Sequence, residues 1–134
     1  FADIGDIIRG KDLFRGYNQK DRKEKQKIQE NLRKIFKEIY NKLGDIEAQK
    51  RYKGEDDNEE NYYQLREDWW YANRATVWKA LTCHAPPDAQ YFRGTCAGGK
   101  LTEGYCRCDG DKPGQDNPNI DPPTYFDYVP QFLR

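Results

Sequence analysis

"REDWWYANRATVWKALTC", residues 66–83, decides how the chain is read: it carries all three tryptophans and the first of the four cysteines. On a helix each residue turns the chain by about 100°. Tyr63, Arg66, Trp70, Val77 and Leu81 then share one face, and Tyr62, Leu65, Trp69, Thr76, Ala80 and Cys83 share a second. Trp78 occupies a third face with Tyr71 and Ala75. A helix apolar over most of its circumference is buried on several sides. The stretch therefore predicts a central helix with Trp69, Trp70 and Trp78 in the core. Arg66, Asp68, Asn73 and Arg74 lie on the same helix and are expected to form a structural network, because buried polar groups must be paired.

Upstream, residues 21–43 carry a second helical pattern. Ile28, Leu32, Ile35, Phe36, Ile39, Tyr40 and Leu43 form one apolar stripe, with Gly44 as the expected C-cap. The other faces are basic, and Lys23, Lys27, Lys34 and Lys37 stay near one side. Ile4, Ile7 and Ile8 predict a short first helix that stops near Gly10, followed by a turn at residues 15–18. Residues 44–54 read as a short helix between two glycines, and "EDDNEEN", residues 55–61, as an exposed acidic loop leading into the central helix.

Residues 84–124 differ in character. They hold six of the seven prolines, many glycines and Cys96, Cys106 and Cys108. With Cys83 the spacing is C-x12-C-x9-C-x-C, which predicts two disulfides in an oxidising compartment. A bridge between Cys106 and Cys108 would be strained. That leaves Cys83–Cys106 with Cys96–Cys108, or Cys83–Cys108 with Cys96–Cys106. Zinc, with His84 as a further ligand, is disfavoured because neither gap matches the usual C-x2-4-C pair. "YFDYVPQFLR", residues 125–134, predicts a last helix bent or delayed by Pro130.

Composition sets the remaining bounds. A mean hydropathy of −1.18 and 34% charged residues are balanced by 14% aromatic residues, so a folded core with strongly solvated faces is expected. Net charge is zero but segregated. Residues 9–53 hold 15 Lys/Arg against 7 Asp/Glu, and residues 54–68 hold 7 acids against Arg66. The chain has no methionine, and both ends read as cut. With one histidine, no nucleophile elbow, no phosphate loop and no H-E-x-x-H, the reading is non-enzymatic, with no catalytic residue, metal or cofactor. The basic helix is the candidate binding element. Disulfides place the chain outside the cytosol, so the expected polyanion is sulfated glycan and not nucleic acid.

"FADIGDIIRG" (1–10), "LREDWWYANRATVWKALTC" (65–83), "YCRC" (105–108) and "PPTYFDYVPQFLR" (122–134) resemble the Duffy-binding-like alpha (DBLα) domain of Plasmodium falciparum erythrocyte membrane protein 1. The four blocks occur in order from end to end, and the ends resemble those of the short tag used to type this family. The resemblance implies a mainly α helical bundle of Duffy-binding-like type with a long disulfide-held loop at 84–124. Residues 1–134 would be the central part of one such domain. It implies a cell-surface adhesion domain of a variant antigen on the infected erythrocyte, exposed to antibodies and attached to the membrane only through other parts of the parent chain. Its partners would be host cell-surface receptors or sulfated glycan such as heparan sulfate. The competing reading is a structural and antigenic module whose receptor contacts lie elsewhere in the parent.

Overall fold

The computed structural model describes residues 1–14, 16–52 and 61–134. Among these, four α-helices form and no strand does: α1 (Ala2–Arg9), α2 (Gln19–Asn41), α3 (Ile46–Tyr52) and α4 (Tyr63–Leu81), followed by 3-10 turns at Phe126–Tyr128 and Gln131–Leu133. The fold is mainly helical, as the sequence predicts. The acidic run at 55–60 lies outside the described residues. Two compact units are present, Asp3–Tyr71 and Phe1–Ala2 with Ala72–Arg134.

Along α4 a buried line falls every fourth position, Arg66, Trp70, Arg74 and Trp78, extended by Tyr62 before the helix and Thr82 after it, and Leu65 is buried beside it. Trp70 is fully buried. A spacing of four advances about 40° per step, so the buried line winds around the helix. This is how Trp70 and Trp78 come to face different neighbours, while Trp69 lies one residue, about 100°, from Trp70. The outward positions are not buried: Tyr71 is 74% exposed, and Tyr63 and Leu81 are about half exposed.

In the unit Asp3–Tyr71, α2 forms the long wall. Asn18 caps it in extended conformation, its side-chain oxygen accepting the Asp21 N–H at 2.9 Å and so pairing one of the free donors of the first turn. The expected glycine cap is absent. The helix ends at Asn41, and Lys42 stays right-handed. A side chain explains this: Gln49 Nε2 donates to the Tyr40 and Leu43 carbonyls at 3.4 and 3.0 Å, covering acceptors that a left-handed glycine would otherwise help to satisfy. The core comprises Phe36, Tyr62 and Leu65, with Ile8, Leu32, Ile39, Tyr40, Tyr52 and Trp69 packed against it. Trp69 is half-buried and meets Phe36 edge-on at 6.1 Å, at the margin of this core. Ile28 and Ile35, expected in the apolar stripe, are about half exposed, because they lie about 80–100° around the axis from Phe36.

The buried face of α1 is not its isoleucines, which are half-buried, but Gly5, Asp6 and Arg9. A Cβ on Gly5 would stand 2.8 Å from the Trp70 ring, so only glycine lets α1 lie there. Arg66 closes the end of α1. Its Nε donates to the Ile8 carbonyl at 2.5 Å and its Nη2 to the Ile7 carbonyl at 3.1 Å and Gln29 Oε1 at 2.8 Å. A cation there meets both the unpaired carbonyls and the negative end of the helix dipole. Asp68 ties α3 to α4, accepting from Tyr52 Oη at 2.7 Å, Gln64 Nε2 at 3.0 Å and Arg51 Nη2 at 3.1 Å. Burial raises the Asp68 carboxyl, but these donors outweigh it and hold the group below its ordinary 3.8. The same hydrogen bond to Asp68, together with burial, raises the Tyr52 phenol above 10.0.

In the unit formed by residues 1–2 and 72–134, Arg74 donates from Nε and Nη2 to the two oxygens of Asp127 at 2.7 and 2.9 Å, and also to the Thr124 carbonyl. Its guanidinium lies 4.6 to 5.5 Å from the ring centres of Tyr125, Tyr128 and Phe1. Burial lowers the basicity of this group, but Asp127 more than offsets that and holds it above its ordinary value. Trp78 donates Nε1–H to the Cys106 carbonyl at 2.9 Å and meets Phe1 and Tyr91 edge-on at 5.0 and 5.7 Å.

The segment after α4 is a succession of tight turns. Gly104–Arg107 closes through Arg107 N–H to the Gly104 carbonyl, with Tyr105 and Cys106 both left-handed, the backbone of a type I′ turn. Asp109-Gly110 makes a second such turn between Cys108 and Asp111, and Pro113-Gly114 turns between Lys112 and Gln115 with φ +83° at the glycine. Arg107 holds the turns together. It reaches Thr82 Oγ1 and the Lys79 carbonyl at 3.0 Å each, Asp111 at 3.5 Å, and Asp116.

One bridge forms where two were expected. Cys96 and Cys108 are joined, with Cα atoms 5.7 Å apart. Cys83 and Cys106 are free thiols. The bridge excludes the pairing of Cys83 with Cys108 and of Cys96 with Cys106, since both use a sulfur already bonded. Cys106 is fixed through its backbone, its N–H donating to the Ala89 carbonyl and its own carbonyl accepting from Trp78. The predicted last helix is also corrected to two 3-10 turns. Pro130 has no N–H, and Val129 before it is extended at ψ 126°, as a residue preceding proline tends to be.

These contacts set three measurable outcomes. Trp70→Ala should cost about 3–5 kcal/mol in chemical denaturation, as large-to-small core changes do; a loss under about 1 kcal/mol would be a surface value. Intact mass before and after reduction should differ by two hydrogens, for one bridge, and a difference of four would restore the second. A carboxyl whose folded pKa is depressed contributes stability above its unfolded value and loses it as pH falls through the folded one. Asp68→Asn should therefore remove part of the fall in stability below about pH 3.8, by up to about 1 kcal/mol because the Arg51 pair is partly solvated. An unchanged acid limb would show that Asp68 titrates alike in both states.

Candidate functional site

The described residues offer two kinds of polar constellation, those that face inward and one that faces outward. The inward ones are consumed by the fold. Arg66, Asp68 and Arg74 make the contacts given above, and Asn73 is half-buried and engaged. The sequence reading missed four of their partners or companions. Asp127 pairs with Arg74, although they are 53 positions apart. Asp6 and Arg9 form a buried pair, with Arg9 also reaching Glu67 at 3.5 Å; the i, i+3 spacing on α1 was the available signal. Arg107 has no local signal, because its partners are brought to it by the turns.

The outward constellation is on α2. Lys23, Lys27, Lys34 and Lys37 are all exposed. At 100° per residue they fall within an arc of about 80°, on the side of the helix away from Phe36 and Leu32, and Lys23 to Lys37 spans about 21 Å. α2 places them there because Phe36 and its neighbours fix which side turns inward. Charge along the arc is not uniform: Glu30 and Glu38 project near it and are exposed too. Lys37 is already engaged, so an anion would compete for it. Lys25, on another side, is committed to Asp12 at 3.5 Å. The arc is a row of flexible, hydrated point charges on a rigid rod, suited to a linear polyanion and not to bidentate recognition of one planar group.

Among the described residues no three His, Cys, Asp or Glu converge as metal ligands. His84 and Cys83 are exposed beyond the end of α4. No helix among the described residues is long and apolar enough to cross a membrane.

No curated protein and no solved structure gives a match to the chain. A family model does: that of the Duffy binding domain matches residues 1–134. The helices, the turns and the inward polar network thus sit within one matched region, and the chain belongs to the Duffy binding domain family, whose members are extracellular adhesion modules that bind host cell-surface receptors.

Proposed function

We propose that the chain is a host-cell adhesion domain of the DBLα type, carried by a variant antigen on the surface of the infected erythrocyte, and that the lysine face of α2 binds sulfated glycan such as heparan sulfate. The observation that carries the glycan reading is the arc itself: four exposed lysines along about 21 Å of one helix side. The DBLα assignment rests on the four sequence blocks at 1–10, 65–83, 105–108 and 122–134. Attraction of this kind comes from counterion release and so weakens with salt. Antibodies would meet the same outward surface.

Heparin chromatography at graded salt tests the reading. Wild-type chain should be retained above physiological salt. Replacing Lys23, Lys27, Lys34 and Lys37 by Gln should bring elution below it and flatten the log–log salt slope by roughly 0.7–0.9 for each anionic group no longer neutralised, taking the nucleic-acid coefficients. Equal retention of the quadruple variant, or elution of the wild type at physiological salt, would leave α2 a solvated face and favour a structural and antigenic module with receptor contacts elsewhere in the parent.

A further inference from the structure

A second surface of the same unit has the opposite chemistry. Ile7, Phe14 and Ile28 line a groove of about 250 Å³ between the segment after α1 and the start of α2, and Asp12, Asp21, Glu24, Lys25 and Gln29 complete its wall. The volume lies below the ~300–1,000 Å³ of ordinary small-molecule pockets, so the space suits a side chain or two and not a cofactor. Its lining is mostly apolar in area, yet it holds three carboxylates against one ammonium. Lys25 is spoken for by Asp12, through a carboxylate contact at 3.5 Å and the Asp12 carbonyl at 3.1 Å. Asp21 accepts the Tyr17 N–H at 3.3 Å. Glu24 is exposed. Within the lining, Asp21 and Glu24 are thus the acidic groups that Lys25 does not engage. The apolar floor continues outward, since the Tyr17 ring stands edge-on to Phe14 at 5.0 Å and is 88% exposed.

We propose that this groove docks a partner protein through an Arg or Lys side chain with an apolar neighbour, the stem lying on Ile7, Phe14 and Ile28 and the cationic head between Asp21 and Glu24. Long basic side chains bury an aliphatic stem while keeping the charge near water or a carboxylate, and this lining supplies a place for each part. Complementary charge fixes the sign of the partner. The lysine arc stands apart from the apolar floor, because Ile28 lies about 100–180° around α2 from its four lysines, and Glu24, on the nearer edge, lies about 60° from Lys27. One helix would then present a surface for anions on one side and a socket for a cation on another.

The test uses the whole chain, isotope-labelled, with the acetylated and amidated tripeptide Leu-Arg-Leu as probe and Leu-Gln-Leu and Leu-Glu-Leu as controls. Leu-Arg-Leu should shift the backbone amide resonances of Phe14, Glu24 and Ile28 saturably, and the controls should bind at least tenfold more weakly. Glu24→Lys and Ile28→Ser, both at exposed positions, should each weaken the probe about tenfold while leaving the helical circular dichroism in place, with heparin retention unchanged in Ile28→Ser and not lowered in Glu24→Lys. Equal binding of the three peptides, or shifts unaffected by Glu24→Lys, would overturn the proposal. So would self-association of the chain that Glu24→Lys abolishes, because the occupant would then be a second copy. Loss of heparin binding in the lysine variants with the Leu-Arg-Leu shifts intact would leave the groove assignment standing on its own.

Discussion

A guanidinium taken out of water must find its counter-charges and acceptors in the fold, and three such groups organise this chain. Arg66 and Arg74 sit on the buried line of α4, and Arg107 sits among the turns. Desolvating an ion costs several kcal/mol, and breaking a buried pair by removing one partner costs about 3–5 kcal/mol. The pair itself adds little net stability over an apolar replacement. What each arginine does supply is a demand for particular acceptors. Arg66 requires the carbonyls at the end of α1 and the amide of Gln29. Arg74 requires both oxygens of Asp127 and the Thr124 carbonyl. Apolar burial alone would tolerate α1 or the 124–128 turn in several positions; five directional N–H donors per guanidinium tolerate few.

The same logic explains how residues 84–124 stay ordered with so little regular structure. A loop this long must find partners for its buried backbone groups. Here they are met within turns whose residue types fit, such as Asp109-Gly110 and Pro113-Gly114, and by side chains reaching in from α4. Two non-glycine residues in succession, Tyr105 and Cys106, adopt left-handed backbone, at a cost of order 1–3 kcal/mol each. Trp78 Nε1 bonding to the Cys106 carbonyl and Arg107 bonding to Thr82 offset that cost. Gly104 has no latitude at all, since a Cβ there would run into the Pro87 carbonyl. The Cys96–Cys108 bridge closes a loop of sequence separation 12, worth about 3 kcal/mol in the chain-entropy model.

What could be read from sequence follows from the range of each signal. Helix existence was legible for α1 to α4, because periodicity is local and repeats every few residues. The ends were less so. Gly44 looked like a cap on composition, and a glutamine nine positions beyond Tyr40 took that role instead. Which α1 side chains turn inward was misread in the same way: three isoleucines outscore Asp6 and Arg9 on hydropathy, but the need to pair charge and the Gly5–Trp70 approach decide the face. The lysine arc was legible as a set of four, since helical geometry alone places them on one side. The groove was not. Asp12 and Phe14 come from a segment with no periodicity, and only the fold brings them against Ile28.

Which side chains remain open to a partner depends on which are already spent. Arg66, Arg74 and Arg107 are buried and saturated with acceptors. Trp70 has no exposed surface, and Trp78 gives its only polar hydrogen to the Cys106 carbonyl. These residues lie in or beside the blocks that make the chain recognisable, so those blocks describe a scaffold. Under the proposed reading a receptor would meet what lies between them, and there α2 offers long exposed faces of defined charge. Such faces differ from the scaffold in tolerance. An exposed lysine changed to another polar residue typically shifts stability by no more than about 0.5 kcal/mol, whereas changing Arg74 breaks its pair with the fully buried Asp127. Arg66, bonded to Gln29 of α2, thus ties that helix to its own unit, so a change of charge on the exposed face of α2 would leave the helix that presents it in place.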